Sequence, residues 1–181
     1  MLKNRTSITA SLFFMLLFFS CVKNSVYAQE SYWYGGVSIG EASIAEDTYN
    51  DSTPASFYIG KRYSESIAFE LGYLDLGGFE SDSEESFDAS ADISGIEVSA
   101  LGLAKMGESV EFFGKAGLYL WEGDEVINGI DLEDSDISLL LGLGVNIPIG
   151  TTIGLRSEYV QYFDIGEEDA DAIYLGFYIN F

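Results

Sequence analysis

Apolar residues in this chain recur at every second position, the spacing of a β-strand, and nowhere at the three-and-four spacing of an amphipathic helix. Eight segments of roughly ten residues carry the pattern, at about 32–41, 54–63, 67–76, 93–104, 110–121, 137–147, 152–163 and 172–181. In the last, Ile173, Leu175, Phe177, Ile179 and Phe181 share one face, opposite Tyr174, Gly176, Tyr178 and Asn180. In the sixth, Ile137, Leu139, Leu141, Leu143, Val145 and Ile147 alternate with Ser138, Leu140, Gly142, Gly144 and Asn146. One face is continuously apolar, and the other mixes Gly, Tyr, Ser and single charges.

A soluble sandwich or barrel would put the apolar face in its core and a Lys-, Glu- and Thr-rich face in water. The polar faces here are instead Gly-rich, with isolated charges of both signs: Arg62, Glu70, Glu97, Glu111, Lys115, Arg156 and Glu158. Such a set suits the narrow interior of a closed barrel of eight strands, where side chains fill the lumen and the charges pair. The apolar face then meets lipid. The expected fold is all-β, a transmembrane antiparallel up-and-down barrel of eight strands. The competing reading is a soluble periplasmic, lipocalin-like barrel that binds a small apolar ligand.

Connection lengths point the same way, because outer-membrane barrels alternate short turns with long loops. Residues 64–66, 105–109 and 148–151 read as short turns, and 42–53, 77–92, 122–136 and 164–171 as long loops. The long connections with their flanking charges hold 23 of the 30 acidic residues and no Lys or Arg. With the N-terminus in the periplasm, one rim becomes an anionic crown outside the cell. Aromatic residues near strand ends, Trp33, Tyr63, Tyr73, Trp121, Tyr162, Phe163 and Phe181, are placed where an interfacial girdle is expected.

The first residues contain Lys3 and Arg5, then an apolar run from Leu12 to Phe19, then Val26-Tyr27-Ala28. This reads as a secretory signal over residues 1–28, leaving a barrel domain over residues 29–181. The run is shorter than the roughly 20 residues a membrane helix needs. Removing the signal removes three basic residues and no acid, so 5 basic residues face 30 acidic ones, a net of −25. That charge repels phosphate backbones, so no nucleic-acid partner is expected. The chain has no His and one Cys, which excludes His-dependent hydrolysis, His-ligated zinc and internal disulfides. No enzyme activity, cofactor or dedicated metal site is expected, since pairs such as Glu167-Glu168 are ordinary in acidic loops. Asp82-Ser83-Glu84-Glu85 and Asp131-Leu132-Glu133-Asp134-Ser135-Asp136 offer the oxygens calcium prefers, without EF-hand spacing, so divalent cations are candidate partners at the loops.

The segments Tyr32-Trp33-Tyr34-Gly35-Gly36, Phe57-Tyr58-Ile59-Gly60, Ala68-Phe69-Glu70-Leu71-Gly72-Tyr73, Phe113-Gly114-Lys115-Ala116-Gly117-Leu118 and Gly154-Leu155-Arg156-Ser157-Glu158-Tyr159 resemble strands of the OmpA-type eight-stranded outer-membrane barrels, in that order. Tyr178-Ile179-Asn180-Phe181 is similar to the C-terminal signature of that family. The resemblance implies an outer-membrane location, contact with lipid and lipopolysaccharide, and reading of Tyr178 and Phe181 by the barrel-assembly machinery. Larger members carry a peptidoglycan-binding domain after the barrel. Nothing follows Phe181 here, so peptidoglycan anchoring is not expected. The expected role is structural or surface interaction, with at most a narrow pore.

Overall fold

The structure, a computed structural model, describes residues 32–44, 52–80, 89–107, 109–127, 130–165 and 168–181. It contains eight strands: β1 (Trp33–Ile44), β2 (Ala55–Arg62), β3 (Ile67–Glu80), β4 (Ala89–Met106), β5 (Val110–Ile127), β6 (Ile130–Pro148), β7 (Ile153–Ile165) and β8 (Glu168–Asn180). Each pairs antiparallel with the next, and β8 returns to β1, so the sheet closes into a barrel. The closing ladder runs from Tyr34↔Asn180 to Ile44↔Ala170. Its end is sealed by Trp33 N–H donating to Phe181 O at 3.1 Å and Phe181 N–H donating to Trp33 O at 2.8 Å.

The alternation in the sequence becomes an inside and an outside. Leu139 and Leu175 are each 62% exposed, while their neighbours Leu140 and Tyr174 are 0% and 1% exposed. Val37, Phe57, Leu71, Val98, Leu118 and Phe177 are likewise exposed around the outer wall. In water so wide an apolar surface would drive aggregation. In hydrocarbon it is the matching surface, and closure leaves no unpaired strand edge within the span. The lipocalin-like reading, which needs the apolar face inside, is overturned by this burial pattern.

Glycine on the inner face makes room for tyrosine. The Tyr34 ring lies over Gly60, that of Tyr58 over Gly36 and that of Tyr178 over Gly154, so closely that a Cβ at any of the three glycines would overlap the ring. Two aromatic girdle assignments fail at this level. Trp33, Tyr63, Tyr73 and Phe181 are exposed on the outer wall, and Phe163 is half-buried, but Trp121 and Tyr162 point into the lumen. Both sit at inward-facing positions of their strands, and position on the pleat decides orientation whatever the side chain's preference for an interface.

The long connections are also shorter than expected. The 122–136 stretch is a continuation of β5 and β6, paired down to Ile127↔Ile130. Likewise β3 runs to Glu80, β4 starts at Ala89, and β7 and β8 are separated by residues 166–167 alone. Apolar alternation fades along these extensions, yet the backbone ladder continues because it needs only a neighbouring strand. The acidic residues of 122–136 and 168–171 therefore lie on strands, not on loops. The proposed signal and the Asp82–Glu85 cluster lie outside the described residues.

Leu118 faces out beside Val98 and Leu139, halfway along the wall. Leu118→Arg should cost about 2–4 kcal/mol in a denaturant titration of bilayer-inserted protein, against about 0–1 kcal/mol for Ile149→Arg at a turn. Equal, small effects at both positions would contradict a lipid-facing wall.

Candidate functional site

The lumen is layered along the barrel axis. Nearest the termini is a cluster of Tyr34, Tyr58, Ala68, Leu101, Leu103, Phe113 and Tyr178. Toward the acidic end lies a second cluster that includes Leu74, Leu76, Tyr119, Trp121, Leu140, Val160, Tyr162 and Tyr174. Most of the charged side chains lie in the layer between, because Glu70, Glu97, Lys115, Arg156 and Glu158 sit on inward positions of β3, β4, β5 and β7.

Arg156 is the centre of this layer and is 2% exposed. Its Nη1 donates to Glu70 Oε1 at 2.8 Å and its Nε to Asn146 Oδ1 at 3.0 Å. The guanidinium carbon lies 4.5 Å from the Tyr58 ring centre and 4.6 Å from that of Phe113, so its faces meet aromatic π-clouds while its edges meet oxygen. Tyr34 Oη donates to the same Glu70 oxygen at 2.7 Å. Lys115 Nζ is shared among three carboxylates, at 3.1 Å from Glu97 Oε1, 3.1 Å from Glu158 Oε1 and 3.7 Å from Glu70 Oε2. Ser99 Oγ donates to Glu97 Oε1 at 2.9 Å.

The third cation stands nearer the termini. Arg62 Nη2 donates to Glu111 Oε1 at 2.5 Å, and Asn146 Nδ2 donates to the same oxygen at 3.2 Å. Because Asn146 also accepts from Arg156, it joins the two charged groups into one connected chain. All seven charged residues expected in the lumen are thus brought into one network, and Asn146, Tyr34 and Ser99 complete it. Asn146 was visible as an inward residue of the sixth segment. The reach of Tyr34 from β1 to Glu70 on β3 depends on barrel curvature and had no signal in sequence. Tyr178 and Phe181, by contrast, do not meet: Tyr178 points inward and Phe181 outward.

The interior leaves little space. A cavity of about 10 Å³ lies among Tyr58, Glu97, Lys115, Glu158, Tyr162 and Tyr174, the size of a single water. A wider recess of about 210 Å³ opens at the end carrying the termini, lined by Tyr32, Arg62, Lys105, Glu111, Asn146 and Asn180 among others. Among the described residues no three His, Cys, Asp or Glu side chains converge to hold a metal ion. Asp134 and Asp136 instead accept hydrogen bonds from the backbone.

Buried charges are held in place by their partners, so removing one should be costly. Arg156→Ala, which leaves Glu70 with Tyr34 and a distant Lys115, should destabilise by about 3–5 kcal/mol. Arg156→Met with Glu70→Leu, which keeps the net lumen charge unchanged, should recover most of that loss. A double-mutant cycle on reversible bilayer unfolding measures it, and a double variant no better than Arg156→Ala would refute pairwise compensation.

The profile of the OmpA-like transmembrane domain matches residues 28–178. Comparison with curated protein sequences gives no match. The crystal structure of neisserial surface protein A superposes with a TM-score of 0.62 at 16% identity, over 83% of this chain and 97% of that one. The N-terminal barrel domain of Pseudomonas aeruginosa OprF gives 0.60 at 10% identity, over 84% and 100%. Ail of Yersinia pestis, in complex with the heparin analogue sucrose octasulfate, gives 0.56 at 15% identity, over 83% and 97%. At these identities the structures share the fold alone. Profile, closed barrel and lipid-facing wall agree, and this chain belongs to the OmpA-like transmembrane domain family as an integral protein of the outer membrane.

Proposed function

We propose that this protein is a structural, surface-interacting outer-membrane barrel with a filled lumen, neither an enzyme nor an open channel. The observation that carries the reading is the stacked interior, where the Arg156–Glu70–Lys115 layer lies between two aromatic-rich apolar clusters. A hydrated ion crossing it would have to displace both. In this reading residues 1–28 are the export signal, residues 29–181 the barrel, and Tyr178 and Phe181 part of the signal read by the assembly machinery. Arg62, Glu70, Glu97, Glu111, Lys115, Arg156 and Glu158 serve as lumen filling that is paired because unpaired burial would cost several kcal/mol each.

In the same reading the termini face the periplasm and the acidic end faces outward, among lipopolysaccharide. Glu122, Asp134, Asp136, Asp164, Glu168 and Asp169 are exposed there without a basic neighbour on the same segments. Such a surface repels polyanions, so the sulfated ligand of Ail does not suit this chain, and cationic partners do. The acidic end acts as a hydrated anionic shield, with divalent cations held in its atmosphere and at no dedicated site.

Two measurements test this. In planar bilayers the wild-type protein should give no steady conductance. Lys115→Ala should lower thermal stability and leave conductance unchanged; discrete channel steps that change in Lys115→Ala would establish a gated pore instead. Calorimetric titration of refolded protein with calcium should give no saturable heat, and a saturable one would replace the shield with a specific cation site.

A further inference from the structure

Charged residues on the outer wall stand near its two ends, and the signs differ. Toward the acidic end the outward positions pass from apolar residues to carboxylates, Glu41 on β1, Asp75 on β3, Glu122 on β5 and Asp171 on β8. Near the end carrying the termini, one outward position of β2 holds a cation, Lys61. Among the described residues it is the one basic side chain on the wall, because Arg62, Lys115 and Arg156 are buried in the lumen and Lys105 lines the recess.

Lys61 is the last residue but one of β2, and its ladder partners are Trp33 on β1 and Phe69 on β3. Both partners are exposed on the wall, as are Ile59 and Tyr63 on either side of it along the chain. The backbone of Lys61 is therefore level with residues that meet hydrocarbon, one outward position short of the turn. A lysine is tolerated at such a depth when its stem lies along apolar surface and its ammonium reaches the headgroups. The Nζ lies 5.2 Å from the centre of the Trp33 ring, which holds the cation against the wall.

The protein supplies no counter-ion there. The ion pairs among the described residues use Arg62, Lys115 and Arg156, and neither Glu65 in the adjoining turn nor the Phe181 carboxylate is paired with Lys61. An ammonium has three donors and no acceptor, and at the edge of the apolar band the acceptors within reach are lipid phosphates. Trp33 and Tyr63 carry an indole N–H and a phenol O–H on exposed side chains beside it. We propose that Lys61, flanked by Trp33 and Tyr63, binds the phosphate of an anionic phospholipid in the leaflet at the end carrying the termini. The proposal rests on the wall facing lipid, and not on which side of the membrane that end faces. A headgroup with its own cation neutralises its phosphate internally, whereas that of phosphatidylglycerol is left for Lys61.

The test places wild type, Lys61→Gln, Lys61→Arg and Lys105→Gln in nanodiscs of equal parts phosphatidylcholine and phosphatidylglycerol. Native mass spectrometry then reads the ratio of the two lipids in the species that carries one lipid, and heat-modifiable electrophoretic mobility checks that each variant is a closed barrel. The ratio of phosphatidylglycerol to phosphatidylcholine should fall about fivefold from wild type to Lys61→Gln and persist in Lys61→Arg. Lys105→Gln removes the same charge from the same end, but from a side chain that lines the recess, and should keep the wild-type ratio. An unchanged ratio in Lys61→Gln overturns the proposal and leaves the lipid-facing wall in place. An equal fall in Lys105→Gln overturns it as well, since net charge would then be the attraction. A wild type that retains neither lipid would remove the wall and the site together.

Discussion

In hydrocarbon there is no water to accept a backbone N–H, and from this one requirement the rest of the structure follows. A sheet can meet it only by closing, which the β1–β8 ladder does over eleven paired positions from Tyr34↔Asn180 to Ile44↔Ala170. Closure fixes an inside and an outside. Because the solvent outside is apolar, the alternation is inverted relative to a soluble barrel, with Leu139, Leu175 and Phe177 outward and Ser138, Tyr174 and Gly176 inward.

Eight strands make the inside narrow, and narrowness governs the lumen chemistry. Charges from strands distant in sequence come within hydrogen-bonding distance, as with Arg156 and Glu70, 86 residues apart. Those of the central layer are withdrawn from bulk water by the apolar clusters above and below, so their partners come from the protein. Sharing achieves this economically: Lys115 serves three carboxylates, Glu70 receives Arg156 and Tyr34 on one oxygen, and Asn146 links the two arginine groups. The inner glycines belong to the same constraint, since Gly36, Gly60 and Gly154 leave the space that the rings of Tyr58, Tyr34 and Tyr178 fill.

At the acidic end the constraint is relaxed and the construction changes. Water satisfies the backbone there, so strands may run on without closing, and their composition shifts from apolar to acidic. There the backbone N–H groups of Ser135 and Ile137 donate to the preceding carboxylates, Asp134 and Asp136. The abundance of acids thus acts through hydrogen-bond geometry as well as through net charge.

The period-two pattern by itself determined the strand number, the barrel class and which seven charges turn inward, because pleat parity is a property of the chain alone. Pleat parity overrides residue type, which is why Trp121 and Tyr162 turn into the lumen and not into an interfacial girdle. The 122–136 stretch reads as a loop because its alternation fades, although a ladder persists wherever a neighbouring strand supplies partners. Only the tertiary structure decided which charges pair, that Asn146 joins them, and where β6 loses its neighbour. Those outcomes depend on barrel curvature and on the departure of β7 at Asp164, relations between segments far apart in sequence that no local pattern encodes.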